Sequence, residues 1–479
     1  MINSNALSSL RMDMPAEHVE ASIRQDEEKA AELIARIESV PFSKWHTKAR
    51  IVIGTATFFD AFDALSMAFV LPVLIGVWHI SPLQIGLMIS SSYLGQLFGA
   101  LYFGWLAERI GRTKSATYAI LIMSGMSLGC ALCGNFWALF ACRFVQGIGV
   151  GGETPIAACY ISELSIAKGR GKYFLIYELI FPVGMMVTGQ LGAWLVPLFG
   201  WKILFWIGAL PGFAVSYLVW RLPESPRWLI GKKRFAEAEV VVRQMEASTT
   251  ARITPTVKVR TAAATAAATV APVKYRAGWL ELIGTVYRKR TLIVWTLWVC
   301  AFFVSNSLNN WLPTLYRTVY HLPLRDALRF ASFTNIAQVA LLFVCAYCID
   351  RVGRRNWTIT MFVLGGCLLL QLGLFGTENI WNVVIVTSLS YGLIGSIATV
   401  LYLYTPEVYP TRMRAMGTGI ASSWLRLASA VGPAVVGLLV HKDGVVSVFL
   451  MFTGVSLVGM LAATLMTETR ERTLEEIAP

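Results

Sequence analysis

Residues 104–114 read GWLAERIGRTK, and residues 346–356 read AYCIDRVGRRN. Both follow an apolar run, and both pair an acid with a glycine and arginines. Two further matches lie downstream: ISELSIAKGRG (161–171) resembles TPEVYPTRMRAMG (405–417), and PESPRWL (223–229) resembles TETRERTL (467–474). Glu108 to Asp350 is an offset of 242, while Glu163 to Glu407 and Glu224 to Glu468 are both 244. Three matches in nearly one register indicate a duplicated six-helix unit whose halves are parallel in topology.

The runs around these motifs are long enough to span a bilayer. They fall near 51–75, 86–106, 115–134, 138–161, 173–196, 202–220, 291–313, 327–349, 356–375, 381–404, 415–439 and 445–466. Each approaches the roughly 20 residues a bilayer requires. The whole chain of 479 residues is 56% hydrophobic and 14% charged, with mean hydropathy +0.60. So little charge and so much apolar surface call for lipid as a second solvent. The expected class is an all-α membrane protein with twelve transmembrane helices. Its parts are an N-terminal segment (1–50), a six-helix half (51–220), a central loop (221–290), a second half (291–466) and a tail (467–479).

The net charge of +13 could point to nucleic acid, but the Lys and Arg residues gather in short loops between apolar runs, so no nucleic-acid partner is expected. Arg109, Arg112 and Lys114 follow span two, Lys168, Arg170 and Lys172 follow span four, and Arg351, Arg354 and Arg355 follow span eight. The loops after spans one, three and nine carry none. The positive-inside rule then puts both termini and the central loop in the cytoplasm, although Arg317, Arg325 and Arg329 after span seven dissent. The first fifty residues hold a Glu/Lys/Arg-rich amphipathic stretch (24–38) and no signal-peptide core. Residues 248–274 read as a low-complexity linker. Cys130/Cys133 and Cys345/Cys348 have CxxC spacing, which within membrane helices reads as packing rather than metal or redox chemistry.

Arg143-Phe-Val-Gln-Gly-Ile-Gly-Val-Gly-Gly152, PESPRWL and the paired-Asp stretch FFDAFDA (58–64) carry a family likeness. The chain from about 51 to 476 resembles the major facilitator superfamily. It is most similar to the branch of sugar porters, bacterial aromatic-acid and nicotinate carriers, organic-ion transporters and synaptic vesicle glycoprotein 2. Glu108 stands where that family usually has Asp, and Ala346 where it has Gly. TETRERT lacks the proline of the sugar-porter ending, which argues against a sugar. The resemblance implies the major facilitator fold and alternating access. The helix-end residues Glu108, Arg109, Arg112, Glu163, Arg170, Glu224 and Arg227 in one half read as a gating network, the alternative being a static topological anchor. In the other half the network would be Asp350, Arg351, Arg354, Glu407, Arg414 and Glu468, all able to pair at helix ends and to release as the halves rock.

Ionisable residues at membrane depth are costly, so each one is a candidate for function. The first half has Asp60, Asp63, Arg143, Glu153 and Glu178, and the second has only Arg426. At roughly 1.5 Å per residue, Asp60, Asp63 and Arg426 fall near the midplane. Asp60 and Asp63 share a helix face and resist joint ionisation, as a proton-coupled carrier requires; the alternative is a structural pair of Asp60 with Arg143, within a charge network that includes Glu153. Arg426 has no acid at membrane depth in its own half, so it reaches across to Asp60 or Asp63 or binds a substrate carboxylate. Asn309, Asn310 and Trp311, with Tyr93, Gln96, Tyr177, Glu178, Tyr391, Tyr402 and Trp424, complete the expected pocket.

Together these features lead us to expect a monomeric secondary transporter without cofactor or enzymatic activity in a bacterial inner membrane. It would carry a small organic anion, nicotinate-like or another monocarboxylate, with protons. A neutral sugar or polyol porter and a non-transporting sensor are the rival readings.

Overall fold

A computed structural model describes residues 16–164, 177, 179–249, 279–376, 378–409, 411–442 and 444–469. Its helices are α1 (Ala16–Ser39), α2 (Lys44–Trp78), α3 (Pro82–Ile110), α4 (Arg112–Leu132), α5 (Phe136–Leu164), α6 (Ile180–Phe199), α7 (Lys202–Trp220), α8 (Pro226–Gly231) and α9 (Phe235–Ala247). After the central loop come α10 (Trp279–Leu282), α11 (Arg288–Thr318), α12 (Leu324–Val352), α13 (Arg354–Phe375), α14 (Ile380–Glu407), α15 (Thr411–Lys442) and α16 (Gly444–Thr464). The twelve apolar runs correspond one to one with α2–α7 and α11–α16. Among the described residues, ten of these helices are long and apolar enough to cross a membrane.

The other two, α3 and α5, are diluted by the residues that let them touch. A Cβ on Gly95, Gly99, Gly147 or Gly151 would stand 2.0–2.1 Å from a backbone oxygen of the facing helix. Only glycine permits backbones to meet this closely, and a stripe of small residues lowers hydropathy without removing a helix from the membrane.

Chain reversals repeat across the halves. Gly111 (φ 110°) separates α3 from α4, and Gly353 (φ 89°) separates α12 from α13. His79 (φ 51°) and His321 (φ 53°) end α2 and α11 in left-handed turns. VWHISP (77–82) and VYHLPL (319–324) are therefore a fourth match between the halves, one of turn geometry rather than of charge. Packing repeats too. In the first half α3 packs on α5, α4 on α5 and α7, and α2 on α6; in the second half α12 packs on α14, α13 on α14 and α16, and α11 on α15. The halves meet through α3 with α15, α6 with α12, and α2 with α11. Large apolar side chains such as Leu101, Trp137, Trp194, Phe199, Phe343 and Phe375 remain exposed, as a lipid-facing surface requires.

The amphipathic stretch expected over 24–38 lies inside α1. Its Leu33 and Ile37, with Val40 beyond the helix end, pack on Trp228, Leu229 and Ile230 of α8 and on Val242 and Met245 of α9. Arg36 forks onto Glu246 at 2.8 and 2.7 Å, and Lys233 meets Asp26 at 2.8 Å. Most of the linker lies outside the described residues.

Candidate functional site

One cluster forms where α2 faces α5. Asp60 and Glu153 are both buried and face each other across α2 and α5, each bonded by a threonine beside the other. Thr154 Oγ1 donates to Asp60 Oδ2 at 3.3 Å. Thr57 Oγ1 donates to Glu153 Oε1 at 3.3 Å and is 2.7 Å from the Tyr177 hydroxyl. Asp60 Oδ1 and Glu153 Oε2 have no donor among the described residues. Two carboxyl groups can hydrogen-bond to each other only when one holds a proton.

Asp63 has other neighbours. Ser127 Oγ donates to its Oδ1 at 3.2 Å, and Arg143 Nη1 donates to its backbone carbonyl at 3.2 Å and to Gln146 Oε1 at 2.7 Å. Arg143 therefore sits by Asp63, and among the described residues it makes no ion pair with Asp60. Tyr177, expected in the substrate pocket, belongs to the Asp60–Glu153 chain instead. Glu178 and Arg170 lie outside the described residues, as does the side chain of Arg414.

Arg426, on α15, occupies a second cluster. It is 8% exposed, and its Nη1 donates to the Ser422 carbonyl one turn back at 3.2 Å. Among the described residues its Nε has no acceptor and no carboxylate lies within ion-pair distance. The expected reach to Asp60 or Asp63 is thus not made in this structure, because Asp60 is turned to Glu153 and Asp63 to Ser127. Aromatic rings surround the guanidinium's helix. Trp424 lies 5.3 Å from Trp295, and Tyr402 meets Trp298 edge-on at 4.8 Å. Trp298 stacks on Phe302 at 5.4 Å and donates its indole N–H to Thr405 at 2.9 Å. Sequence reading had found Tyr402 and Trp424 but not Trp295, Trp298 and Phe302. Their spacing along α11, three and then four residues, was the available signal.

Between the clusters the halves meet in a tight polar seam lined by Tyr93, Gln96, Arg143 and Asn310. Asn310 Nδ2 donates to Tyr93 at 3.2 Å across the halves, and Asn306 Nδ2 donates to Ser429 Oγ at 2.6 Å. Tyr391 donates to Gln338 at 2.9 Å, and Asn309 is buried with no partner for its Nδ2 among the described residues. Trp311 is taken up in packing: it is buried and donates to the Pro433 carbonyl at 3.0 Å.

The helix-end motifs build matching networks. Glu224 accepts the backbone N–H of Arg112 at 2.9 Å and of Thr113 at 3.2 Å, capping α4. Arg112 pairs with Glu108 at 2.8 Å and Glu163 at 2.9 Å, and Arg227 joins the Glu163 carbonyl to Glu38. In the second half Glu468 accepts the N–H of Arg354 at 3.0 Å and of Arg355 at 3.1 Å. Arg354 lies 3.1 Å from Asp350 and 3.6 Å from Glu407. Among the described contacts each network joins neighbouring helix ends of its own half. Arg109 and Arg351 lie over Trp105 and Tyr347 at 4.1 and 4.7 Å.

Comparison with known proteins places this architecture. The family model described as sugar (and other) transporter matches residues 19–479. The chain is 31% identical over 454 residues to the niacin transporter NiaP of Acinetobacter baylyi, covering 93% of this chain and 99% of that protein. It is 29% identical over 408 residues to the gallate transporter of Pseudomonas putida, covering 84% and 88%. The xylose transporter XylE from E. coli, in a partially occluded inward-open conformation, superposes with a TM-score of 0.71 at 16% identity, covering 87% of this chain and 98% of that one.

Proposed function

The chain belongs to the sugar (and other) transporter family, and from that premise we propose that it carries a small aromatic carboxylate together with protons by alternating access. It is a multi-pass membrane transporter; the basic loops support a bacterial inner membrane with both termini cytoplasmic. The observation that carries the substrate class is Arg426: a buried guanidinium whose Nε has no partner among the described residues, on a helix walled by aromatic rings. Leaving such a cation unpaired at membrane depth costs at least about 2.5 kcal/mol, and a carboxylate would offset that cost through a forked pair. The rings supply faces for a planar body. The relatives named for niacin and gallate support the same chemistry, since gallate and the acid form of niacin are aromatic carboxylates.

Coupling follows from charge. The Asp60–Glu153 pair holds a proton in one half while Arg426 holds the anion in the other. A carboxylate and a proton crossing together move no net charge, which removes the main electrostatic barrier to transit. A neutral sugar or polyol would leave Arg426 uncompensated, and a sensor would need no proton site.

The test is ligand stabilisation of the purified protein by nicotinate, benzoate and gallate against nicotinamide and xylose. Carboxylates should raise Tm and the uncharged partners should not. Stabilisation by xylose with none by any carboxylate would overturn the organic-anion reading.

A further inference from the structure

Three thiols meet where α4 ends and α5 begins. Cys133 caps the end of α4, and its Sγ lies 3.7 Å from the Sγ of Cys142 in the second turn of α5. Cys130, three residues earlier on α4, is fully buried and donates to Gln146 Oε1 at 3.9 Å. Gly129 makes the room: a Cβ there would stand 3.2 Å from the Cys142 sulfur. Cys133 is 8% exposed and Cys142 is half-buried, so this pair, unlike Cys130, opens toward the surface.

We propose that Cys133 and Cys142 close into a disulfide that braces α4 against α5 at the outer end of the first half. Its outer placement rests on the orientation proposed above; its pairing rests on the 3.7 Å contact alone. Closure brings the sulfurs to about 2.05 Å, a movement that side-chain rotation at a helix-end residue can supply. The oxidant is a disulfide of a thiol oxidoreductase. One thiolate attacks it to form a mixed disulfide and releases one oxidant thiolate. The second cysteine displaces the other, so two thiols give up two protons and two electrons and the oxidant disulfide becomes two thiols. An oxidising periplasm favours this direction. Both helices belong to one half, so the bond does not cross the seam between the halves and leaves their rocking free. Cys142 precedes Arg143, whose Nη1 bridges Asp63 and Gln146, so the brace also fixes the register of α5 beside the charge cluster.

The experiment is oxidation of the reduced, full-length protein in detergent with oxidised glutathione, followed by digestion without reductant and mass spectrometry. The expected result is a Cys133–Cys142 linked peptide and loss of two of the eight thiols. Cys133→Ser should lose the link and keep uptake within about twofold of the parent. Persistence of both thiols under oxidant, or a link to Cys130 instead, overturns the pairing. Loss of uptake on closing the bond overturns the brace. Labelling Cys142 of Cys133→Ser in intact cells with an impermeant maleimide tests the orientation separately: labelling supports the outer placement, and labelling only after permeabilisation overturns it without touching the pairing.

Discussion

Arg426 and Glu153 are both buried charges, but the chain treats them in opposite ways. Glu153 is given an acid neighbour and a threonine, whereas Arg426 is given a backbone carbonyl and aromatic rings. Arg426→Lys keeps the charge but loses the planar fork. A charge-assisted hydrogen bond contributes about 1.5 kcal/mol or more, so substrate affinity should fall roughly tenfold, and further in Arg426→Ala. Substrate-dependent Tm shifts measure this, and an Arg426→Ala protein that binds as tightly as the parent would end the argument. Uptake should rise as external pH falls, because the proton is a co-substrate. Glu153→Gln retains partners for Thr57 yet removes the shared proton, so it should abolish accumulation against a gradient while exchange persists. Concentrative uptake in a Glu153→Gln, Asp60→Asn double variant would show that protons travel elsewhere. The sequence marks each of these residues by its charge at membrane depth. It does not say that Asp60 turns to Glu153 rather than to Asp63, because that choice is made by how α2 and α5 pack.

Among the elements, Glu224 and Glu468 do equivalent work from equivalent places. Each carboxylate fills the N-terminus of the helix after a left-handed glycine and satisfies N–H groups that begin the ladder. Removing it leaves those donors bare, so Glu224→Ala should cost about 1 kcal/mol and lower Tm. Gly111→Ala should be harsher, because φ is 110° and the new Cβ would sit 2.2 Å from Glu224. A Gly111→Ala protein that melts with the parent would refute this. Such motifs are legible because helix ends are local: the residues that cap are the residues quoted. The docking of α1 on α9 is not local and was not legible. Its Arg36 is held above the ordinary arginine value chiefly by its hydrogen bonds to Glu246. A raised basic group gives its full stability below its ordinary value, so the Arg36 side of this contact does not weaken anywhere in the physiological range. Glu239 is lowered by Arg243 and Lys29, so its share is present at neutral pH and fades only as pH falls through the lowered value. Arg36→Ala should therefore speed hydrogen exchange in α1 while the twelve long helices stay protected.

For the whole molecule, the duplicated motifs predict the pairing of halves, but not which end is shut. The contacts across the halves gather toward the end that carries His79 and His321. Ser90 donates to the Ala430 carbonyl, Gln190 to the Ser332 carbonyl at 3.5 Å, and a Cβ on Gly437 would stand 2.5 Å from the Pro82 carbonyl. The capping networks occupy the opposite end, and their contacts among the described residues brace each half, while glycines and short polar residues close the seam at this end. Gly86 is the clearest test of that division. A Cβ there would lie 2.8 Å from the Pro433 carbonyl and 2.9 Å from Ala434 Cα, so α3 and α15 touch backbone to backbone. A large ring cannot enter without parting the halves at this end, while the capping networks at the far end lie too distant to be disturbed. Gly86→Trp should therefore fold, with Tm close to the parent, yet lose net uptake because the seam cannot shut. A cysteine placed at Asn306, which bonds to Ser429 behind the seam, should react faster with an impermeant maleimide in the Gly86→Trp background. Unchanged reactivity together with normal uptake would mean that this contact is not the closure on which alternating access depends.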